Sequence, residues 1–271
     1  MRNTFLDQKT HRRSWLKIAA ALVLAAGVSA TGTQADVKKP RELRLTYDFY
    51  IAGLPIAKAK LNARIEDGFY SAESSGKTTG IAALFFGSKV ESSGGGLLMP
   101  TEADAVDGMA PQVFEAYFKV KKKDMTLRIA YDGDAPESVE AEPPFRKKSY
   151  EIDPTEQHGA LDPMSAIVAA YLPVKSAAAV CNRTIPVFDG RKRFDVRFDG
   201  LLDEYEEDGA RYVECAGTYF RIGGFKKKHM TPERRTYPFK IRFRMNKEGA
   251  PLPVRIWGDT DFGTAVALLR D

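Results

Sequence analysis

The chain has 271 residues, a formal net charge of +5 and 44% hydrophobic residues. The first 35 residues contain five positive side chains and one negative, so the remainder is close to neutral. A near-neutral domain lacks the overall positive field typical of nucleic-acid binding, which argues against that class of partner. Four local basic runs could still contact anionic lipid head groups, or could simply be solvated strand ends and turns: Lys121–Lys123, Arg146–Lys148, Arg191–Arg193 and Lys226–Lys228.

The N-terminal region has the layout of a signal peptide. A cationic stretch ending at Lys17 precedes an apolar run from Ile18 to Val28, and small polar residues follow. The run is about 11 residues long, well short of the roughly 20 that a membrane-spanning helix needs. We therefore expect residues 1–35 to be a signal peptide cleaved after Ala35 or, alternatively, after Ala30. Residues 36–271 would then form a single periplasmic β domain without a transmembrane segment.

The export route has two alternatives. The segment His11–Lys17 resembles a twin-arginine signal, because Arg12 and Arg13 stand together and Trp15 occupies the place where phenylalanine is usual. Such signals are addresses that a receptor reads. Paired arginines also occur in ordinary secretory signals, so the general secretory route stays open.

The sequence contains two cysteines, Cys181 and Cys215. In an exported protein two thiols usually indicate one disulfide, whereas a redox-active pair would more often have the spacing Cys-x-x-Cys. We expect Cys181 and Cys215 to form a structural disulfide. In the chain-entropy model it would contribute about 3–4 kcal/mol to stability.

Apolar and polar residues alternate with a period of two along most of the chain, which predicts half-buried strands. The alternation is clearest at residues 43–49, 57–65, 193–198 and 237–245. Turn sequences separate such runs, as a meander requires. They are Asp67–Gly68, Asp132–Gly133, Asp189–Gly190, Asp208–Gly209 and Glu248–Gly249, together with Gly94–Gly96, where we expect a hairpin turn or a bulge.

One segment has helical spacing instead, with apolar residues recurring from Met164 to Leu172. Asp162 can cap this helix, Pro163 suits its first turn and Pro173 ends it. A long meander of amphipathic strands can hide its apolar face by curling around such a helix. We expect a mainly β fold: a long antiparallel meander curled into an open or spiral half-barrel around one short α-helix, with one disulfide. A flat two-sheet sandwich is the alternative.

Four stretches together resemble a family of exported bacterial proteins known as domain of unknown function 3108. They are the strand pair Leu45–Leu61 with its turn Gly53–Pro55, the helix start Asp162–Ser165, the stretch Val187–Arg191, and the closing stretch Pro253–Trp257 that leads to Phe262, Gly263 and Leu268. The resemblance extends from about Arg41 to Leu269. It implies an exported location and this fold class but no reaction. At fold level the expected shape is similar to periplasmic carriers whose curved sheet cradles lipid chains.

Few residues offer catalytic or metal-binding chemistry. His158, Asp162 and Ser165 could form a hydrolase set, but their spacing around a helix start is explained by capping, and no Gly-x-Ser-x-Gly elbow accompanies them. Asp259 and Asp261 could face one cation, or they could flank the turn between the last two strands. We expect no catalytic residue, no metal site and no cofactor.

The run Gly80–Gly87 is apolar on every side and is bounded by glycines. Such a segment could be a flap or short helix that plugs one end of the curved sheet. Alternatively, Ile81, Leu84, Phe85 and Phe86 could line or gate an apolar groove, since ligand sites favour concave apolar surfaces with few polar groups.

Together these patterns favour a non-enzymatic periplasmic protein of the cell envelope that binds an apolar, lipid-like ligand or an envelope partner, with Ile81–Phe86 at the mouth of the site. One alternative is a structural adaptor that holds envelope components through its strand edges or basic runs. Another is a hydrolase acting on envelope polymers, with its acid or base among His158, Asp162, Asp259 and Asp261.

Overall fold

Strands account for most of the described chain. The computed structural model describes residues 41–80, 82–83, 87–99, 107–145 and 152–270. The strands are β1 (Arg41–Ile51), β2 (Leu54–Glu66), β3 (Phe69–Thr78), β4 (Ser88–Leu98), β5 (Met109–Val120), β6 (Lys123–Asp132), β7 (Ala135–Glu142), β8 (Asn182–Phe188), β9 (Arg193–Glu207), β10 (Ala210–Gly223), β11 (Thr236–Met245), β12 (Pro251–Thr260) and β13 (Gly263–Leu269). Short helices α1 (Pro163–Ala170), α2 (Ala177–Val180) and α3 (Pro232–Arg235) accompany them. The predicted signal peptide lies outside the described residues.

All thirteen strands form one antiparallel sheet whose edges are β7 and β8. Consecutive strands pair from β1 to β7 and from β8 to β13, and β13 pairs with β1. The sheet does not close on itself. Helix α1, in the segment between the two edges, packs against β3, β4, β5 and β8. The predicted open, curled meander around one helix is therefore confirmed. The sandwich alternative is wrong, because the strand order is one uninterrupted sheet.

Strand pairing places the connections at two opposite ends of the sheet. We call one the open end; its described residues are 52–53, 79–80, 82–83, 87, 121–122, 189–192, 224–235 and 261–262. We call the other the closed end; its described residues are 67–68, 99, 107–108, 133–134, 208–209 and 246–250. The segment that follows α1 reaches the closed end, where Val174 N donates a hydrogen bond to Gly249 O at 3.0 Å.

The predicted alternation determines which residues of each strand face the helix. On β2, Leu61 and Ala63 are buried in the core, while Lys60, Asn62 and Arg64 between and beside them are exposed. Successive side chains of a strand point to opposite faces, so a single period-two run gives one apolar and one polar surface. The inner face of the sheet is therefore apolar and its outer face is polar.

The three glycines Gly94–Gly96 lie inside β4 at a β-bulge, not in a turn. The predicted bulge is thus confirmed, and the hairpin turn is wrong. A Cβ at Gly94 would lie 3.1 Å from Asp162 Oδ1 and 3.1 Å from Met164 Cβ, and a Cβ at Gly96 would lie only 2.2 Å from Ala110 O. Glycine is required here because the start of α1 and the neighbouring strand approach the backbone of β4 so closely.

Helix α1 begins and ends as its sequence predicts. Asp162 caps it, since its Oδ1 accepts hydrogen bonds from Met164 N at 2.8 Å and Ser165 N at 3.0 Å, with Pro163 in the first turn. At the other end Arg183 Nη2 donates to Ala169 O at 3.0 Å. A guanidinium there satisfies a free carbonyl and complements the negative end of the helix dipole.

The predicted disulfide between Cys181 and Cys215 is present, with a Cα–Cα distance of 5.1 Å and both residues fully buried. It joins the end of α2 to β10 and so ties the segment after α1 to the sheet. No helix among the described residues is both long and apolar enough to cross a bilayer.

Candidate functional site

The inner face of the sheet changes character along the strands, and this change defines the candidate site. Toward the open end, a row of inward-facing residues crosses five neighbouring strands in register, from β2 to β6. The row consists of Ala59, Gly76, Val90, Phe118 and Met125, and every member is only half-buried. The sheet thus presents a concave apolar surface that no described element covers completely.

The opposite wall of the curved sheet continues this surface. Phe194, Val196, Phe239 and Ile256 point inward from β9, β11 and β12, and each is also half-buried. Ligand sites in proteins are commonly concave and mostly apolar, with few polar groups. The inner row and the second wall have that composition, and Tyr219 and Arg221 of β10 add polar groups to the same face, since they pair with Val196 and Phe194.

Toward the closed end the same inner face is filled. Tyr70, Ala72, Phe114 and Ile129 lie on β3, β5 and β6 and are buried in one core cluster with α1. Apolar surface that is already packed at this density leaves no room for a further molecule. The candidate site is therefore confined to the open-end half of the sheet.

A buried polar cluster anchors α1 in this core. Ser165 Oγ donates a hydrogen bond to Asp162 Oδ2, and the Tyr70 hydroxyl lies 2.7 Å from Ser165 Oγ. Because the proton of Ser165 is directed to Asp162, Tyr70 donates to Ser165. Desolvation raises the pKa of Asp162, although these hydrogen bonds oppose the change. Desolvation, and then the charge of Asp162, also raise the pKa of Tyr131, whose buried hydroxyl has no hydrogen-bond partner among the described residues.

A second pair of buried hydroxyls fixes the C-terminal side of the helix. Tyr47 and Tyr171 are joined by an O–O distance of 2.8 Å, and the Tyr47 hydroxyl donates to Pro253 O at 2.7 Å. Burial raises the pKa of Tyr47 to about 12, so the hydroxyl stays protonated at neutral pH. Together the two clusters hold α1 between β3 and β12 and keep the closed end filled.

The hydrolase set considered from the sequence is not assembled in the described residues. His158 is exposed and pairs with Asp134, with an Nδ1–Oδ1 distance of 3.2 Å, in the closed-end turn between β6 and β7. No hydrogen bond joins it to Asp162 or Ser165, both of which are fully buried and engaged in the helix cap. These two residues therefore have the structural role that the capping pattern predicted.

Asp259 and Asp261, which the sequence offered either as cation ligands or as turn-flanking residues, have the second role. Asp259 Oδ1 accepts a hydrogen bond from Thr264 Oγ1 at 2.9 Å, and Asp261 lies in the turn between β12 and β13. They flank that turn, as the sequence allowed. Among the described residues there is no cluster of His, Cys, Asp and Glu suited to hold a metal ion.

The predicted mouth residues Ile81, Leu84, Phe85 and Phe86 lie outside the described residues. The residues before them are described: Thr79 N donates to Ile56 O at 2.9 Å, and a Cβ at Gly80 would lie 3.1 Å from Pro55 O. Thr79 and Gly80 therefore lie beside the turn between β1 and β2, at the open end.

A second concavity lies on the outer face across β2–β7 and has a volume of about 840 Å³. Most of its side chains are polar, with serines, Lys60, Arg128 and the glutamates Glu73, Glu91, Glu115, Glu140 and Glu142 beside a few apolar residues such as Leu127. Two of the cations on this face are neutralised locally, because Arg128 pairs with Glu115 and Lys89 lies 2.7 Å from Glu91. This acidic outer surface contrasts with the apolar inner one.

The residues that form the inner row were not predicted as site residues. Their alternation revealed that they face inward, but it did not reveal that α1 covers one half of the inner face and leaves the other. A signal was nevertheless present, since Ala57, Ala59, Ser74, Gly76 and Ser92 are unusually small for inward-facing strand positions.

Comparison with known proteins adds a family and a distant structural likeness. A crystal structure of a β-barrel-like protein of domain of unknown function DUF1849 from Brucella abortus is similar over 85% of this chain and 96% of that chain, with 10% sequence identity and a TM-score of 0.43. No curated protein matches the chain. The model of a family described as "Protein of unknown function (DUF3108)" matches residues 46–270. The chain therefore belongs to that family.

Proposed function

We propose that this protein is a non-enzymatic component of the cell envelope that binds an apolar, lipid-like molecule on the inner face of its curved sheet, at the open end. The observation that carries the proposal is the half-buried inner row, Ala59, Gly76, Val90, Phe118 and Met125, opposite an equally half-buried second wall. Apolar surface left partly in water gains free energy when a ligand covers it, at about 25 cal/mol per Å².

The absence of charged side chains from this row favours an apolar ligand over a polar one. A buried ionic or strongly polar ligand would need partners with matching charge or hydrogen bonds, because desolvation without such partners is costly. The five residues of the row offer only hydrocarbon, aromatic and thioether groups. A lipid-like chain matches them without leaving polar groups unpaired.

The proposed location is the periplasm. The N-terminal pattern of a cationic stretch, an apolar run and a small-residue cleavage site supports export. The buried disulfide supports an oxidising compartment, since such bonds are rare in reducing ones. A soluble carrier or sensor of apolar molecules would be useful there, between two membranes.

Binding of the fluorescent apolar probe N-phenylnaphthylamine tests the proposal. Gly76→Leu should weaken probe binding about tenfold, because a Cβ at Gly76 meets nothing closer than 3.7 Å and the longer side chain would occupy the open-end cavity without straining the fold. The matched control is Ser75→Leu, one residue away on the exposed outer face, which should bind the probe like the wild type.

Two outcomes would count against the proposal: equal binding by both variants, or no probe binding by the wild type. Native mass spectrometry of protein purified without detergent gives a second readout, in which an added mass that is lost in Gly76→Leu is expected. A protein that binds no probe and carries no added mass would favour the structural adaptor, and partner capture would then be the next experiment.

A further inference from the structure

The open end of the sheet gathers positive charge from connections that are far apart in sequence. Lys121 and Lys122 lie between β5 and β6, Arg191 and Lys192 between β8 and β9, and Lys226–Lys228 between β10 and β11. Because the meander reverses at every strand, alternate connections fall at the same end of the sheet. Three of the four basic runs in the sequence therefore lie at the open end by topology.

The densest part of this charge is built around Arg221. Its Nη1 donates to Arg234 O at 2.9 Å and to His229 O at 3.3 Å, while Arg235 Nε donates back to Arg221 O at 2.8 Å. The Arg221 guanidinium also lies over the ring of Tyr237, 4.5 Å from its centroid. These contacts hold residues 224–235 against the sheet, so the cations they carry have a fixed place.

The neighbouring connection joins the same cluster. A Cβ at Gly224 would lie 2.1 Å from Arg191 O, and Lys192 Nζ lies 5.7 Å from the centroid of the Phe225 ring. The residues between β8 and β9 and those between β10 and β11 are thus in direct contact. We call the resulting set the cationic cluster; it consists of Arg191, Lys192, Arg221, Lys226, Lys227, Lys228, Arg234 and Arg235.

The charges of the cationic cluster are largely uncompensated. Within the described part of the chain, none of its members forms an ion pair. The carboxylates close by include Asp189, which accepts hydrogen bonds from the backbone of its own turn, Glu233 in α3, and Glu156, whose Oε2 would lie 2.9 Å from a Cβ at Gly223. Desolvation, and then the positive charges of Arg221 and Lys228, lower the pKa of His229. The histidine therefore lies in a locally positive field.

Exposed apolar side chains lie at the same end, on the strands that continue the sheet from the cluster. Phe262, in the turn between β12 and β13, is 80% exposed, and Leu54, after the turn between β1 and β2, is 59% exposed. These two turns touch, since Ala52 N donates to Thr264 O at 3.0 Å. Tyr237 at the start of β11, also exposed, lies between them and the cationic cluster in the strand order.

The closed end has the opposite charge. Its turns carry mainly carboxylates: Asp67, Asp132, Asp134, Glu207, Asp208 and Glu248. It also exposes large apolar residues, among them Phe69 at 57% exposure. The two ends therefore differ in the charge that surrounds their exposed apolar side chains, and that difference gives the molecule an orientation in an electric field.

We propose that the open end docks on the surface of a lipid bilayer that contains anionic head groups, with Phe262 and Leu54 entering the interface and the cationic cluster contacting the head groups. Each Lys or Arg near an anionic bilayer strengthens attachment by roughly fivefold, and an apolar side chain that enters the interface adds binding through its buried area. The carboxylates of the closed end are repelled by the same surface, so only one orientation is favourable.

This docking surface uses none of the residues of the inner row, since it consists of connections at the open end together with Arg221 of β10, which holds them, so it stands independently of the proposed apolar ligand. The two would nevertheless work together. Docking would bring the open side of the inner face next to the bilayer, so that an apolar molecule could pass between bilayer and sheet with little exposure to water.

Co-sedimentation with vesicles tests the proposal, using the full chain with the same N-terminus in every variant. The wild type should bind vesicles of phosphatidylcholine containing about one third phosphatidylglycerol much more tightly than vesicles of phosphatidylcholine alone. Binding should weaken when salt is raised from about 0.1 M to about 1 M, which shortens the screening length from about 10 Å to about 3 Å.

Two kinds of substitution probe the two parts of the surface, each with a control. Replacing Lys226, Lys227 and Lys228 together by Gln should weaken binding at least about tenfold. The matched control replaces Arg44, Lys60 and Lys247 by Gln, which removes the same charge away from the open end and should change binding less than about twofold. Phe262→Ser should weaken binding about fivefold, whereas Phe69→Ser at the closed end should leave it unchanged.

Three outcomes would overturn the proposal. Equal effects of the test and control variants would show that the open end is not the docking surface. Equal binding to neutral and anionic vesicles would remove the role of the cationic cluster. If charge removal weakened binding while Phe262→Ser had no effect, and soluble polyphosphate competed fully with the vesicles, the cluster would be a site for soluble polyanions and not a bilayer-docking surface.

Discussion

The two ends of the sheet are built from the same strands but differ in what covers their inner face. At the closed end, α1 and two clusters of buried hydroxyls fill the space, and Phe114 on β5 is 3% exposed. At the open end, Phe118 on the same strand and the same face is half-buried. The alternation of residues is identical at both positions. What differs is the presence of a covering element, so the pattern of a strand alone does not separate core from binding surface.

A pair of substitutions on β5 tests this difference most strongly. Phe114→Ala should lower the free energy of unfolding by about 3–5 kcal/mol, because a fully packed ring is removed and a cavity is left. Phe118→Ala should cost only about 1–2 kcal/mol, since part of the ring is already in water. Denaturant unfolding of both variants measures the two values, and the change in midpoint at constant slope gives the comparison.

The two phenylalanines are four residues apart, so they share a strand, a face and a residue type and serve as controls for each other. Equal losses of stability would mean that the open end is packed as tightly as the closed end. The concave site would then not exist in the free protein. A loss at Phe118 that becomes larger when the apolar probe is added would instead support the site directly, because the probe stabilises the native wild type more than a variant that lacks a ring lining the site.

We expect the disulfide to stabilise the closed end of the sheet. Replacing Cys181 and Cys215 together by Ser should lower stability by about 3–4 kcal/mol in the chain-entropy model. For a domain of this size that corresponds to a melting temperature lower by about 6–16 °C. Thermal unfolding monitored by circular dichroism measures the decrease.

Thiol titration provides the control for the disulfide. The folded wild type should show no reactive thiol until it is reduced, and the reduced wild type should melt close to the double serine variant. A thiol that titrates readily in the folded, unreduced protein would contradict the pairing. Unchanged probe binding in the serine variant would show that the bond stabilises the closed end without shaping the open one.

Most of the fold could be predicted from local patterns. Period-two alternation identified the strands around Leu61 and Phe243, and the cap formed by Asp162 and Pro163 identified the helix, because both signals depend on neighbours close in sequence. The disulfide was predicted from the number of cysteines and from the export that the N-terminal pattern indicated. The family resemblance, from about Arg41 to Leu269, agrees with the match over residues 46–270.

The candidate site, and the opposite charges of the two ends of the sheet, could not be predicted from such local patterns. Gly94 was expected in a hairpin or a bulge. Glycine stands there because a Cβ at this position would lie 3.1 Å from Asp162 Oδ1, a contact between residues far apart in sequence. Lys122, Lys192 and Lys227 lie at the same end of the sheet because the chain reverses direction at every strand between them. Their common location can be deduced only when all of those strands are known. Such long-range relations require the strand order, which no single segment contains.

The smallest expected effect concerns the pH dependence of the closed end. Desolvation raises the pKa of Asp162 above its ordinary value of 3.8, so the folded state binds its proton more readily than the unfolded state. A carboxyl group whose pKa is raised in this way opposes folding at neutral pH. Its contribution to stability therefore becomes more favourable as the pH falls from the folded pKa toward 3.8.

Asp162→Asn isolates this contribution, because the amide oxygen can still accept the capping hydrogen bonds of Met164 N and Ser165 N but carries no titrating proton. The difference in the free energy of unfolding between wild type and variant, measured by urea titration at several pH values, should change in favour of the wild type as the pH is lowered. Asp153→Asn is the control, since Asp153 caps an exposed turn and hydrogen bonds to Thr155 lower its pKa, which gives a dependence of the opposite sign. A flat difference for Asp162→Asn would mean that water reaches the carboxylate and that the closed end is less completely filled than the contacts of α1 indicate.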